Sequence, residues 1–199
     1  NLVATLRAAS PKKKGVLMMG HIDVVDAKRE DWERSPFTLF EENGYFFGRG
    51  SEDNKSGVAL LTATFLALKA EKFTPTRDLV IVFTGDEETS GVTAKTLLRD
   101  HRALVDGEFA LNSDAGGGEL AEADGKPVAY GMQTAEKTFA SFTLTARNEG
   151  GHSSTPRKEN AIYDLVAALA RLQRYAFPVM WNETTIAAFR SVGQIKKNK

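Results

Sequence analysis

One histidine and four acidic residues stand directly after apolar segments or just before a helical segment. They are His21, Asp53, Glu87, Glu88 and Asp114. Four carboxylates in one cleft repel one another and resist ionisation, so two divalent cations would neutralise them, and imidazole with carboxylates suits zinc. Two close metal ions can share a carboxylate, activate a water molecule and polarise a carbonyl, while a spare carboxylate can act as general base. Together the residues predict a two-metal hydrolytic site.

Each residue also has a simpler interpretation on its own. Glu87 and Glu88 fit a solvated acidic loop, and His21 fits a loop histidine with satisfied hydrogen bonds. Asp53 fits an N-terminal helix cap, and Asp114 fits a turn residue before glycines. The metal site is favoured because the same arrangement recurs at three strand ends and one helix start.

Three apolar segments are typical of the strands that would position these residues. They are residues 15–20, 78–84 and 108–114. The β-branched segment 78–84 fits a parallel strand covered on both faces, and ligands of such sheets bind beyond the carboxyl ends of the strands. Apolar residues at helical spacing predict helices over 58–68 and 162–172. A further helix is predicted over 89–98, and a hairpin over 37–47. The predicted fold class is therefore α/β, with a mostly parallel sheet between helices.

The pattern changes in the last third of the chain. Residues 140–147 alternate apolar and polar side chains, which is typical of an antiparallel strand with one solvent-facing side. One strand and one helix cannot bury a core between them. We therefore predict an incomplete catalytic metal-binding domain over residues 1–134 and an incomplete α+β lid or dimerisation domain over residues 135–199.

Composition and motif spacing argue against several classes of binding partner. The 199 residues carry 26 basic and 26 acidic side chains, so no net charge favours nucleic acid or an anionic membrane. No apolar segment is long enough to span a bilayer. The glycine-rich segment 48–57 matches neither the Walker nor the dinucleotide-binding spacing. The absence of cysteine excludes thiolate metal ligands and leaves the compartment open.

Five motifs, taken in order, carry a resemblance that covers nearly the whole chain. The chain resembles the co-catalytic zinc peptidase and aminoacylase family that includes carboxypeptidase S and glutamate carboxypeptidase, and it is most similar to the carboxypeptidase S and Gly-Xaa carboxypeptidase branch. The resemblance implies a zinc hydrolase that cleaves the amide bond next to a C-terminal free carboxylate, in a small peptide or an N-acyl amino acid. The motifs are residues 20–25, 48–57, 85–91, 112–114 and 150–154.

The resemblance also implies which residues bind metal. His21 and Asp114 would bind one zinc ion, and Glu88 would bind the other. Asp53 would bridge both ions, so a complete site would hold two. Family members have a further histidine ligand late in the chain, and no histidine follows His152 here. One zinc ion is therefore expected to dominate in this chain, which we interpret as part of a longer polypeptide.

Further roles come from the same resemblance. Glu87 would be the base that activates the bridging water. Asp23 would orient His21, a contact that their spacing also favours because both side chains point to one side of an extended segment. His152 would stabilise the oxyanion, in dimeric relatives by reaching across to the partner's site, so a homodimer through the lid domain is expected. The peptide bond that follows Asp53 is expected to be cis.

One alternative function stays open beside the hydrolase. A non-catalytic, metal-binding remnant without the last histidine ligand would keep the fold and lose turnover. His101 lies away from every motif and is expected at the surface. Asp114 stands where many relatives carry glutamate, and its shorter side chain could alter the distance to a metal ion.

Overall fold

The computed structural model describes residues 1–122 and 124–197. The helices among them are α1 (Lys55–Ala70), α2 (Val92–Asp100), α3 (Ala161–Arg174) and α4 (Glu183–Lys197). None of these helices is both long enough and apolar enough to cross a bilayer. The strands, in chain order, are β1 (Leu2–Leu6), β2 (Gly15–His21), β3 (Phe40–Glu42), β4 (Tyr45–Phe47), β5 (Leu79–Thr84), β6 (Gly107–Asn112), β7 (Gly117–Leu120) and β8 (Pro127–Gly131).

A four-stranded sheet holds the predicted apolar segments together. Its strand order is β1-β5-β2-β6, and β2 runs parallel to both β5 and β6, whereas β1 is antiparallel to β5. The strands β2, β5 and β6 coincide with the three apolar segments that the sequence singled out. The α/β fold class with a mostly parallel sheet is confirmed. Strands β3 with β4, and β7 with β8, form two separate two-stranded sheets.

Strand β5 lies at the centre of the packed core. Its residues 80–83 are buried, and the side chains of Val80 and Val82 pack with Leu97 of α2 and with Val105. β-Branched side chains suit this position because they pack well on a sheet that is covered on both faces. The core therefore fixes the strand that ends immediately before the two adjacent glutamates.

The strand register brings the carboxyl ends of the parallel strands to one edge of the sheet. His21 at the end of β2 pairs with Thr84 at the end of β5. On the other side of β2, Met19 pairs with Asn112 at the end of β6. The candidate ligands that follow these strands consequently begin from neighbouring positions.

The described chain divides into two compact units. The first comprises Asn1–Gly118 and Tyr130–Met132, and the remaining described residues form the second. In the second unit, α3 matches the predicted helix and begins at a capping asparagine, because the Ile162 amide donates to the Asn160 side chain over 2.9 Å. The interpretation of residues 135–199 as a lid or dimerisation domain stays a prediction.

The predicted strand over residues 140–147 is wrong. The structure forms no strand between β8 and α3. Alternating side chains supply an apolar side, but a strand also needs a neighbouring strand to pair its backbone N–H and C=O groups. The described residues of this segment have no such neighbour. Conversely, β1, β7, β8 and α4 were not predicted from the sequence.

Candidate metal centre

The buried imidazole of His21 is the centre of the candidate site. His21 ends β2 and is only 2% exposed. Its Nε2 atom lies 2.8 Å from Oδ1 of Asp53 and 3.2 Å from Oδ1 of Asp114. Ligand atoms of these three residues all lie within 4.8 Å of one another. The fold thus brings together three of the four residues predicted to bind metal.

Asp53 reaches this group from the segment that precedes α1. The residue at the helix cap is Asn54, and it makes no side-chain capping hydrogen bond. The simpler interpretation of Asp53 as the helix cap is therefore wrong. The Asp53–Asn54 peptide bond is cis, as expected from the resemblance. The Asp53 side chain stays 61% exposed although it lies within hydrogen-bond distance of buried His21.

The three side chains carry more negative than positive charge. In the described part of the chain, the ion pairs of Asp53 and Asp114 are with His21. Burial lowers the pKa of His21, but the hydrogen bond with Asp53 and the charge of Asp114 outweigh it, so the pKa is raised above its ordinary value. One imidazole nitrogen and carboxylate oxygens are donors that suit zinc. This donor set fits a divalent cation better than it fits a satisfied loop histidine.

Glu87 and Glu88 lie in the loop between β5 and α2, next to the same group. Burial and the neighbouring charges of Asp114, Glu88 and Asp53 raise the pKa of Glu87, partly opposed by His21. Glu88 lies outside the group of ligand atoms around His21. The loop therefore places Glu87 in the electrostatic field of the cluster. The role of Glu87 as base and the role of Glu88 as metal ligand stay predictions.

Asp23 connects His21 with the glutamate loop. The Nδ1 atom of His21 lies 3.1 Å from the main-chain oxygen of Asp23 and 3.4 Å from its carboxylate. The same carboxylate accepts hydrogen bonds from the backbone amides of Glu87, at 3.2 Å, and Glu88, at 3.0 Å. Of these contacts, only the one with His21 was predicted from the sequence. The amide contacts indicate that Asp23 also holds the loop that carries the two glutamates.

Comparison with known proteins shows to which family the chain belongs. Residues 17–193 match peptidase family M20/M25/M40. The chain belongs to this family. Human "N-fatty-acyl-amino acid synthase/hydrolase PM20D1" is 33% identical over 187 residues, which cover 92% of this chain and 36% of that protein. The resemblance to zinc peptidases and aminoacylases is thereby confirmed.

Other M20/M25/M40 relatives and solved structures support the same assignment. A Staphylococcus aureus protein named "Probable succinyl-diaminopimelate desuccinylase" is 34% identical over 157 residues, covering 78% of this chain and 35% of its own length. The crystal structure of human carnosine dipeptidase 1 matches 57% of this chain and 25% of its own, at 29% identity and a TM-score of 0.51. The dipeptidase Dug1p of Saccharomyces cerevisiae matches 60% of this chain and 26% of its own, at 27% identity and a TM-score of 0.51. The chain spans about a third of the length of the curated relatives it matches.

Asp86, which was not predicted from the sequence, holds together the loop that carries Glu87 and Glu88 and the start of α2. Its carboxylate accepts hydrogen bonds from the Ser90 hydroxyl at 2.6 Å, the Val92 amide at 2.8 Å, and the amide and hydroxyl of Thr93. These bonds lower the pKa of Asp86 to about 2. Serine and threonine four and seven residues after an aspartate, where a helix begins, are a local signal from which this role could be predicted.

The remaining predicted residue, His152, belongs to the second unit. Its side chain is exposed, and its Nδ1 atom lies 2.7 Å from the Ser154 hydroxyl. A role in stabilising the oxyanion stays a prediction. His101 is exposed at the end of α2, as expected.

Proposed function

We propose that this chain forms the metal-binding part of a zinc-dependent amidohydrolase of the carboxypeptidase S type, which cleaves the amide bond next to a C-terminal free carboxylate. The observation that carries the proposal is a buried imidazole, His21, held between the carboxylates of Asp53 and Asp114 beside Glu87. The names of the relatives, an N-fatty-acyl-amino acid hydrolase and two dipeptidases, support small substrates of this class.

In this proposal, different residues of the chain bind the two zinc ions. His21, Asp53 and Asp114 would hold one zinc ion, and Glu88 with Asp53 would contribute to a second site. Bound zinc polarises a substrate carbonyl and lowers the pKa of a coordinated water. Asp23 would keep the glutamate loop in place through the two amides that it accepts.

Glu87 would perform the proton transfers. Burial and nearby carboxylates raise the pKa of Glu87, which helps it keep a proton taken from the attacking water. The same proton would then pass to the amide nitrogen as the carbon–nitrogen bond breaks, so Glu87 returns to its ionised form. His152 would assist the oxyanion of the intermediate, in a homodimer across to the partner's site.

A second candidate is metal binding without turnover. It is supported by the position of Glu88 outside the three-residue group, since a single ion would leave no second metal to share the attacking water. The two candidates differ in activity, but both require zinc at His21.

The test compares Glu87→Gln with the wild type in the full-length protein, with an N-acyl amino acid as substrate and its methyl ester as the uncharged comparison. Loss of a general base lowers the rate by about 10²- to 10⁴-fold, while zinc content should stay unchanged. Glu41→Gln, on exposed strand β3, is the matched control and should keep full activity. Hydrolysis that survives Glu87→Gln, or that prefers the ester, would contradict the proposed mechanism.

A further inference from the structure

The side chain of Asn54 is almost completely buried beside the metal group. It is 1% exposed, and its Nδ2 atom donates to Oδ1 of Asp114 over 3.0 Å. Its Oδ1 atom accepts from the Ser113 hydroxyl, also over 3.0 Å. Both ends of the amide therefore contact the short segment that follows β6.

Hydrogen-bonding chemistry fixes which way the Asn54 amide faces. An ionised carboxylate only accepts hydrogen bonds, so Asp114 requires the amide nitrogen and would repel the amide oxygen. The Ser113 hydroxyl can donate its proton to the remaining oxygen, because the Ser113 backbone amide already donates to the main-chain oxygen of Met19 on β2 over 3.0 Å. The Asn54 amide is thus oriented by the carboxylate on one side and, on the other, by the hydroxyl of a serine whose backbone is bonded to β2.

Two glycines make the space that the Asn54 and Ser113 side chains occupy. A Cβ atom at Gly57, in the first turn of α1, would lie 2.2 Å from both Oδ1 of Asn54 and the Ser113 hydroxyl oxygen. A Cβ atom at Gly20, immediately before His21, would lie 3.0 Å from the same hydroxyl oxygen. Such close approaches are possible only without side chains. The amide is confined between the end of β2 and the start of α1.

We propose that Asn54 is a positioning residue for Asp114: its amide N–H restrains the carboxylate so that it stays turned toward His21 and Asp53, ready for a metal ion. The inference rests on the proposed function, because it takes Asp114 as a zinc ligand. Ser113 supports the arrangement from the other end of the amide. Hydrogen-bonding partners behind a ligand typically determine its orientation and its affinity for metal.

The test is Asn54→Leu in the full chain, because leucine has nearly the shape of asparagine but neither donates nor accepts hydrogen bonds. We expect zinc affinity, measured by competition with a coloured chelator, to fall about 10- to 100-fold. The absorption spectrum of the cobalt-substituted protein should also shift, since the geometry of the carboxylate ligand changes. Val82→Ala, in the buried core and away from the site, is the matched destabilised control and should alter neither reading.

Two comparisons distinguish an error in the proposed metal site from an error in the positioning role of Asn54. If His21→Ala leaves zinc affinity unchanged, the proposed metal site itself is wrong. If His21→Ala weakens zinc binding but Asn54→Leu changes neither affinity nor cobalt spectrum, only the positioning role is overturned. Should Asn54→Leu not fold, the smaller Asn54→Ser removes the same donor without a clash, and an unchanged affinity and spectrum there overturn the inference equally.

Discussion

His21 is the buried member of a group whose two carboxylates, on Asp53 and Asp114, are more accessible to solvent. Its ring is held from both nitrogens, by the main chain of Asp23 at Nδ1 and by two carboxylates at Nε2. A bond at Nδ1 fixes the ring orientation and leaves Nε2 directed at the carboxylates. A metal ion at Nε2 would replace a proton as the positive charge between them.

We expect His21→Ala to abolish the stabilisation of the protein by zinc. A ligand that binds only the folded state at about 100 times its dissociation constant raises the free energy of unfolding by about 2.7 kcal/mol. The measurement is thermal unfolding with and without zinc, alongside zinc content after dialysis. His101→Ala, at an exposed position, is the control and should keep the full zinc-dependent shift. Equal zinc content in the two variants would show that His21 is not a ligand.

At the scale of secondary-structure elements, helix α1 must approach the end of β2 very closely for Asn54 and Asp53 to reach the site. Gly57 is buried and makes this approach possible. A glycine inside a helix usually lowers helix stability, so its presence here is explained by packing rather than by propensity. The positions of Asp53 and Asn54 thus depend on a residue that touches no metal.

Gly57→Ala should therefore destabilise the first unit despite the better helix propensity of alanine. The added Cβ would overlap with Asn54 and Ser113, and overpacking of this kind costs about 1–3 kcal/mol. Gly193→Ala is the matched control, because Gly193 lies in α4 with no other atoms near its missing Cβ. That change should be neutral or stabilise by up to about 1 kcal/mol. Chemical denaturation of both variants gives the comparison, and equal effects would contradict the packing argument.

The loop between β5 and α2 gives a prediction about pH. Asp86 has its pKa lowered to about 2 by the hydrogen bonds from Ser90, Val92 and Thr93. A carboxyl group with a lowered pKa in the folded state stabilises the protein above its unfolded pKa of about 3.9, and this stabilisation disappears as the pH falls toward 2. Asp86→Asn should thus be less stable than wild type at pH 5, and the difference should narrow toward pH 2. A difference in the midpoint of denaturation that stays constant over this range would contradict the assignment.

Local signals explain which elements could be predicted. The apolar segments gave β2, β5 and β6 because a buried parallel strand is recognisable from its own residues. Strand β1 was missed since its five residues become a strand only by pairing with β5. The contacts of Asp23 with Glu88 and of Asn54 with Asp114 join residues 65 and 60 positions apart, and no local pattern encodes them.

At the scale of the whole molecule, we expect the affinity for each metal ion to depend on how many protein ligand groups meet at its position. Three ligand groups meet within 4.8 Å at His21, Asp53 and Asp114, which is the number of protein ligands usual for a catalytic zinc with an open position for water. Among the described residues Glu88 lies outside this group, and in the assignment proposed above a second ion would be held by Asp53 and Glu88. The two positions should differ in affinity.

We therefore expect calorimetric titration of the metal-free 199-residue chain to show one tight zinc ion. Glu88→Gln should leave this ion in place, because its three donors are untouched. Asp114→Asn is the matched substitution and should weaken the same ion, since an amide is a poorer and uncharged ligand. Two equally tight ions in the 199-residue chain, or loss of the tight ion in Glu88→Gln, would show that the ligands are assigned wrongly.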